Sequence, residues 1–319
     1  MLVQKNLNLG GFLFLRCTAM IIGILTRNPN GWASRELTRA IKSLGHKPFC
    51  FRFRDIVSFV DADRFKALVS DVDIAKDLSA IIARPFGRVS LDQAIYRIDL
   101  LYALQEQGVP VFNKPSAIEK CVDKFRSLYI FKQHGLPAPR TIVTERSSLA
   151  LKSLEHLGSK FVVIKPMFGS RGHGSARFVL SDRDVMWEVT RSLQFTGHTI
   201  YLQEYIEHGG MDFRVFTLGY EVLAAMVRKA PKGSWKTNIA RGGTPIPLKK
   251  LDPEVEELAI KAARVLECEI AGVDIIKTKD GMYVLEINSQ PGWRGLQSAH
   301  PDIDIAMEIS RYVVSKAKR

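Results

Sequence analysis

Unbroken apolar runs alternate with helically spaced apolar positions through the first third of the chain. Ile21 to Leu25 (IIGIL) is an apolar run of buried-strand length, and Asn28-Pro29-Asn30-Gly31 after it reads as a loop. Leu37, Ile41 and Leu44 then share one helix face, and Gly45 supplies a stop signal. HKPFCFRF predicts a second strand, AIIARP (80–85) a third and VPVFN (109–113) a fourth, with a helix from about Leu91 to Gln107 between the last two. Strands that alternate with helices argue for a parallel sheet, because each parallel connection needs a crossover long enough to hold a helix.

The pattern changes near Lys114. SAIEKCVDKFRSLYIFKQHG reads as a helix pair, LPAPRTIVTE as a strand preceded by prolines, and FVVIK (161–165) as a short buried strand ending in a cation. From Thr199 the chain is richer in strands. TIYLQEYI, DFRVFTLG and EVLAAMVRKA suit an antiparallel sheet, with Gly219-Tyr220 as the hairpin turn between the last two. A helix from about Pro253 to Leu266 precedes two further strands, AGVDIIKT and MYVLEIN. At 319 residues the chain exceeds one typical core. The expected architecture is therefore α/β (α+β) with several subdomains: an extension (1–19), a parallel α/β domain (20–113), a central subdomain (114–198) and a C-terminal subdomain (199–319). The strand opening at Met20 makes that residue an alternative translation start to Met1.

Composition narrows the functional classes. Apolar content of 46% with a mean hydropathy near zero describes a soluble globular protein. Lys and Arg outnumber Asp and Glu by 46 to 33, a net +13 that favours anionic partners. The basic residues are dispersed and no nucleic-acid module is recognisable, so phosphate-bearing metabolites are expected rather than nucleic acid. No apolar run reaches the ~18 residues of a membrane span, and the apolar segment before Met20 is short and broken by Arg16, unlike a signal peptide. Cys17, Cys50, Cys121 and Cys268 are far apart and read as reduced thiols of a cytoplasmic protein.

The candidate chemistry starts near the C-terminus. If Lys279-Asp280-Gly281 is a three-residue hairpin loop with Gly281 at the left-handed position, Thr278 pairs with Met282 and Asp274 with Glu286. Asn288, two residues on, shares their face. Two carboxylates and an amide oxygen are hard-oxygen ligands of the kind Mg2+ takes when it also holds nucleotide phosphates. A two-residue turn would instead point Asp274 away and leave a polar sheet face in solvent. Upstream, FVVIKPMFGSRGHG places Lys165 beside a loop whose Gly169, Gly172 and Gly174, with Ser170, allow backbone N–H groups to approach phosphate oxygens. Ser175-Ala176 stands where a P-loop needs Lys-Ser/Thr, so that motif fails. Lys124 is a second cation able to clamp phosphates, and the strand end at Glu204, Tyr205 and Ile206 suits adenine. Asp212 and Arg214 share a face, and the loop from Trp235 to Gly243 holds Lys236, Thr237, Asn238 and Arg241. Arg241 and Asn238 are placed to neutralise charge on a transferred phosphoryl group.

In order, EKCVDKFRS, VVIKPMFGSRGHG, LQEYI, MDFRVF, KTNIARGG, AGVDII and VLEINSQPG resemble the RimK-like branch of the ATP-grasp carboxylate–amine ligases over about residues 114 to 298. The resemblance implies an ATP-grasp fold behind a pre-ATP-grasp domain, with ATP and Mg2+ (or Mn2+) as cofactors. It also implies that L-glutamate is joined to an anionic carboxylate acceptor. By position it assigns Lys124 and Lys165 to the ATP phosphates, 169–174 to the lid, Glu204, Tyr205 and Ile206 to the adenine hinge, and Asp212 and 236–238 to the nucleotide site. Asp274, Glu286 and Asn288 fall to the metal, and Arg241 to the phosphate. EKCVDK and the WKTN–ARG loop are most similar to archaeal-type α-L-glutamate ligases of tetrahydromethanopterin-like pterin coenzymes. Trp293 and Arg294 replace the acidic residues common in ribosome-modifying members. A protein C-terminus or a deazaflavin coenzyme is the alternative acceptor, a basic nucleic-acid-binding protein with a vestigial nucleotide site the distant alternative. A homo-oligomer is compatible with all of these.

Overall fold

The computed structural model describes residues 19–62, 64–87, 89–169 and 173–318. Most of the N-terminal extension, and Ser170 and Gly172 of the glycine loop, lie outside the described residues. Among the described residues four sheets carry the fold. The first is parallel, in the order Lys47–Phe51, Ile21–Leu25, Ala80–Ala83, Val111–Phe112. The helices Trp32–Ser43 and Ile305–Lys316 pack on one face of it, and Leu91–Glu106 on the other. A small antiparallel sheet, Val57–Asp61, Arg64–Val69 and Val72–Asp73, is inserted between its second and third strands in chain order.

The central sheet is antiparallel, in the order Ala176–Val179, Phe161–Lys165, Ile200–Glu204, Thr141–Thr144. This corrects the expectation that TIYLQEYI joins the C-terminal sheet. Its apolar pattern specifies a strand but not a partner, and here Leu202 lies opposite Ile164 and Ile142 over the core of Leu154, Met186 and Ile200. The C-terminal sheet follows, Thr244–Pro247, Glu221–Lys229, Met211–Leu218, Ile270–Thr278, Gly281–Asn288, with the helix Pro253–Val265 packed beneath it. Gly219 and Tyr220 both have positive φ, 61° and 68°, as expected of a two-residue hairpin turn.

The parallel and C-terminal sheets share a core. Ile22, Ile24 and Leu37 belong to the same buried cluster as Phe216, Ile270 and Trp293. Asn113, 1% exposed, reinforces the joint: its Nδ2 donates to the carbonyls of Ile270 (2.8 Å) and Ser289, and its Oδ1 accepts from the Ile270 N–H (2.8 Å). One buried amide thus satisfies backbone groups at the base of both strands of the Asp274 hairpin. Among the described residues no helix is long and apolar enough to cross a membrane, and Cys50, Cys121 and Cys268 are unbridged.

Candidate active site

The hairpin that carries the carboxylates reaches the expected pairing by a different route. Its turn has two residues, so Thr278 faces Gly281 and Lys277 faces Met282, one step out of the expected register. A bulge then intervenes: Ile275 faces Val284, and Asp274 faces Glu286, leaving Leu285 as the extra residue. An inserted residue reverses side-chain parity from that point on, which restores what the shorter turn removes. Asp274 and Glu286 therefore line one cavity, together with Leu285. Asn288 lies opposite Gly272, its amide 3.5 Å from that carbonyl, outside the lining of the cavity.

Two arginines flank Asp274: Arg228, which the sequence pattern did not signal, and Arg214, which it did. Arg228 and Asp212 face each other across adjacent strands and form a bidentate pair at 2.8 and 2.6 Å, both nearly inaccessible. Asp212 also accepts from the Thr237 hydroxyl at 2.7 Å, which ties the 235–238 loop to the sheet. Arg228 Nη2 is 3.0 Å from Asp274 as well. Arg214, opposite Asp274 in register, places Nε 2.9 Å from Asp274 Oδ1. It passes over Gly272, where a Cβ would sit 2.3 Å from its Nη1, so only glycine leaves it room. Burial drives the Asp274 carboxyl pKa up, and the two arginines oppose that. Although close to Arg214, buried Oδ1 has no aligned hydrogen bond. An oxygen held near charge but without a directed donor fits a hard cation, which asks for negative charge rather than N–H alignment.

The lysines enter from the opposite side. Lys165 closes its strand with Nζ 2.6 Å from Gln203 Oε1, and burial pushes its pKa down to about 8. Lys124, at the start of the helix Lys124–Gln133, donates to the carbonyls of Met167 (3.2 Å) and Gly169 (2.9 Å). Its pKa is likewise lowered by burial. Lys236 donates to Ser175, and Arg241 Nη2 lies 3.1 Å from His173 Nδ1. Both described ends of the glycine loop are thus held by cations. Gly169 and Gly174 abut the Pro166 ring, Gly174 with φ 73°.

Lys124, Lys165, Gly169, Asp212, Lys236, Thr237, Asn238, Asp274 and Glu286 line the cavity, whereas Gly174, Glu204, Tyr205, Ile206, Asn288 and Arg241 do not. At the strand end the geometry is more closed than expected. The N–H groups of Glu204 and Tyr205 go to the carbonyls of Arg140 and Phe161, and the Glu204 carboxylate accepts from Arg140 N–H and Nε at 2.7 and 2.8 Å. Tyr205 instead joins a cluster in which the Arg177 guanidinium lies 4.7 Å from its ring centroid and 4.8 Å from that of Phe161. Trp235 and His208 complete the cluster and reach the cavity wall. Sequence reasoning passed over Arg177, His208 and Arg228. Counted from the Gly219-Tyr220 turn alone, Asp212 would face Val227; a bulge beside Phe216 moves the pairing to Arg228, so no local pattern marked that residue.

Comparison with known proteins bears on the family and the fold. Residues 121–313 match the RimK-like ATP-grasp domain and residues 20–118 the RimK PreATP-grasp domain. The tetrahydromethanopterin:alpha-L-glutamate ligase of Methanosarcina acetivorans is 32% identical, covering 87% of this chain and 94% of its own. A probable alpha-L-glutamate ligase 2 of Pseudoalteromonas atlantica is also 32% identical, covering 94% and 97%. Among solved structures, the ATP-grasp ligase PsnB complexed with a minimal precursor superposes with a TM-score of 0.71 at 18% identity, covering 93% of this chain and 99% of its own. D-cycloserine synthetase DcsG gives 0.71 at 17% identity, again over 93% and 99%.

Proposed function

This chain belongs to the RimK-like ATP-grasp family of ATP-dependent carboxylate–amine ligases, and we propose that it joins the amine of L-glutamate to the carboxylate of an anionic small-molecule acceptor. The observation that carries this reading is the convergence of Lys124, Lys165, Asp274 and Glu286 on one cavity. Cations from two elements facing carboxylates from the two strands of a hairpin suit a nucleotide triphosphate and its Mg2+. In this reading Lys124 and Lys165 hold the phosphates under the 169–174 loop, and Asp274 and Glu286 hold the metal with Asn288 beside them. Glu204, Tyr205 and Ile206 border the adenine, Asp212 and Lys236–Asn238 shape the nucleotide wall, and Arg241 and Asn238 meet the phosphoryl group. When bound, ATP would supply the phosphoryl group that activates the acceptor carboxylate, and Mg2+ would neutralise the charge on its phosphates. The protein's own contribution is positioning and fixed charge, and no nucleophilic side chain is needed. The lid excludes water while the amine attacks.

A tetrahydromethanopterin-like pterin is the acceptor we favour, supported by the Methanosarcina acetivorans relative and by the net charge of +13. A peptide is the second reading, supported by the neighbours solved with precursor peptides. The enzyme would act in the cytoplasm. Incubation with ATP, Mg2+, L-glutamate and a panel of pterin, deazaflavin and peptide carboxylates separates them. Glutamate-dependent ADP release and one added glutamyl unit on the pterin are expected. Glutamylation of the peptide alone reassigns the acceptor, and no ADP release with any pair contradicts the proposal.

Lys165 adds a pH prediction. Its depressed pKa of about 8 means that the nucleotide-free enzyme loses this charge as pH rises through that value. Phosphate oxygens favour the ammonium form, so ADP affinity should be flat below about pH 7 and weaken by up to about tenfold per unit above the free pKa. Calorimetric titration across this range checks it. Lys165→Arg, always charged, should flatten the profile, and a flat wild-type profile would remove Lys165 from the phosphate site.

A further inference from the structure

A second cavity, of about 160 Å³, opens at the carboxyl ends of three parallel strands. It is far larger than one water requires. Its wall follows the strand Ile21–Leu25 into Arg27, the strand Lys47–Phe51 into Arg52 and Arg54, and the strand Ala80–Ala83 into Arg84 and Phe86. Arg97, from the helix Leu91–Glu106, closes the side. In an open parallel sheet, ligands bind where strand order reverses, outside the carboxyl ends. The order here reverses between Ile21–Leu25 and Ala80–Ala83, and both strands feed the cavity.

Among the described residues five guanidiniums line this space. Asp55 neutralises Arg52 through a bidentate pair at 2.7 and 2.8 Å. Among the described residues no carboxylate lies within ion-pair distance of Arg27, Arg54, Arg84 or Arg97, so five cations less one leaves four uncompensated. Arg97 is set by its bond to the Phe86 carbonyl (2.8 Å) and by the Phe53 ring 5.0 Å away. Gly87, φ 87°, lets the loop lie against Arg27, where a Cβ would come within 2.5 Å of Cδ. Arg84 is the informative one. It is 8% exposed, and its Nη2 donates 3.0 Å to the carbonyl of Pro291. Its guanidinium lies 4.5 Å from the Trp293 ring centroid. Pro291 and Trp293 are in the segment that leaves the carboxylate hairpin just after Asn288. The arginine pocket is therefore joined through one side chain to the loop beside the reacting site.

A buried cation without an ion pair is costly, as Arg84 is, and the guanidiniums of Arg27, Arg54 and Arg97 gathered on the same cavity suit an anion with several oxygens, which guanidinium forks bind bidentately. We propose that this pocket holds a multiply charged oxyanionic group of the acceptor, distal to the carboxylate that reacts. The inference rests on the ligase reading above for what it calls the acceptor. Its anion chemistry is independent of that reading.

The test uses the full chain saturated with ADP and Mg2+, so that the nucleotide site does not compete. The probes are inorganic phosphate and citrate, followed through arginine Nε–Hε resonances. Saturable shifts in a subset of arginines are expected. The Arg27→Ala/Arg54→Ala variant, at two exposed positions, should weaken the midpoint about tenfold or more while the ADP dissociation constant stays unchanged. Either single variant serves if the double does not fold. Tighter phosphate identifies a phosphoryl group and tighter citrate a carboxylate cluster, and both uphold the pocket. Shifts that match those from sodium chloride at equal ionic strength, or that survive the substitutions, overturn it. No turnover is read, so failure here leaves the ligase reading intact, and failure of every acceptor in the ligase assay leaves this result intact.

Discussion

Replacing Glu286 by Gln, or Asp274 by Asn, is expected to lower ligase turnover by about 10²-fold or more while the protein still folds. Each change keeps the side-chain shape and removes one negative charge from the facing pair. The two variants should differ in stability. Glu286 is half-buried and makes no ion pair within 4 Å among the described residues. Asp274 is 5% exposed and lies between Arg214 and Arg228. Asp274→Asn should therefore lower the melting temperature as well, whereas Glu286→Gln should leave it nearly unchanged. Glu286→Gln is thus the cleaner test of chemistry. Mg2+-dependent ADP production that is unaltered in both variants would remove the metal assignment.

The largest stability effect should come from Arg228→Met. Its guanidinium is 3% exposed and serves two carboxylates, Asp212 at 2.6 Å and Asp274 at 3.0 Å. Removing it leaves Asp212, itself 4% exposed, as a buried carboxylate that keeps only the Thr237 hydroxyl. Breaking a buried pair from one side costs about 3–5 kcal/mol, whereas replacing both partners with apolar groups of similar size is often close to neutral. Denaturant unfolding should show that loss for Arg228→Met and a substantial recovery in Arg228→Met/Asp212→Leu. Costs that simply add would mean the pair is not the coupled unit described here.

How much of this was legible depends on which signals are local. The strands of the parallel sheet, the helix pair around Asp123 and the helix beginning at Pro253 follow from apolar spacing and punctuation, and the observed elements match them. The place of Lys165 on the cavity was legible as well, because a cation closing a buried strand beside glycines is a local pattern. Sheet membership was not. Ile200–Glu204 has the alternation of any half-buried strand, and its partners are set by which apolar face finds a core. The small sheet from Val57 to Asp73 went unread because Val57, Phe59 and Val60 are exposed, so its alternation is weak. The hairpin is more instructive. The expected turn was one residue too long, and an unforeseen bulge at Leu285 cancels the error in parity, so Asp274 and Glu286 meet for a reason other than the one expected. Arg228 lay beyond local reading, since its value comes from a cross-strand neighbour and from burial. The arginine pocket gathers residues from three strand ends and a helix, and only topology brings these together.

The central claim is that the acceptor carboxylate is activated by phosphoryl transfer before the amine attacks. It is tested most directly by labelling that carboxylate with ¹⁸O. The enzyme, ATP, Mg2+, L-glutamate and the labelled acceptor are combined, and the released phosphate is analysed by mass spectrometry. One labelled oxygen in inorganic phosphate for each amide bond formed is the predicted result, because the carboxylate oxygen that accepts the phosphoryl group leaves with it. Amide product accompanied by unlabelled phosphate would contradict the account.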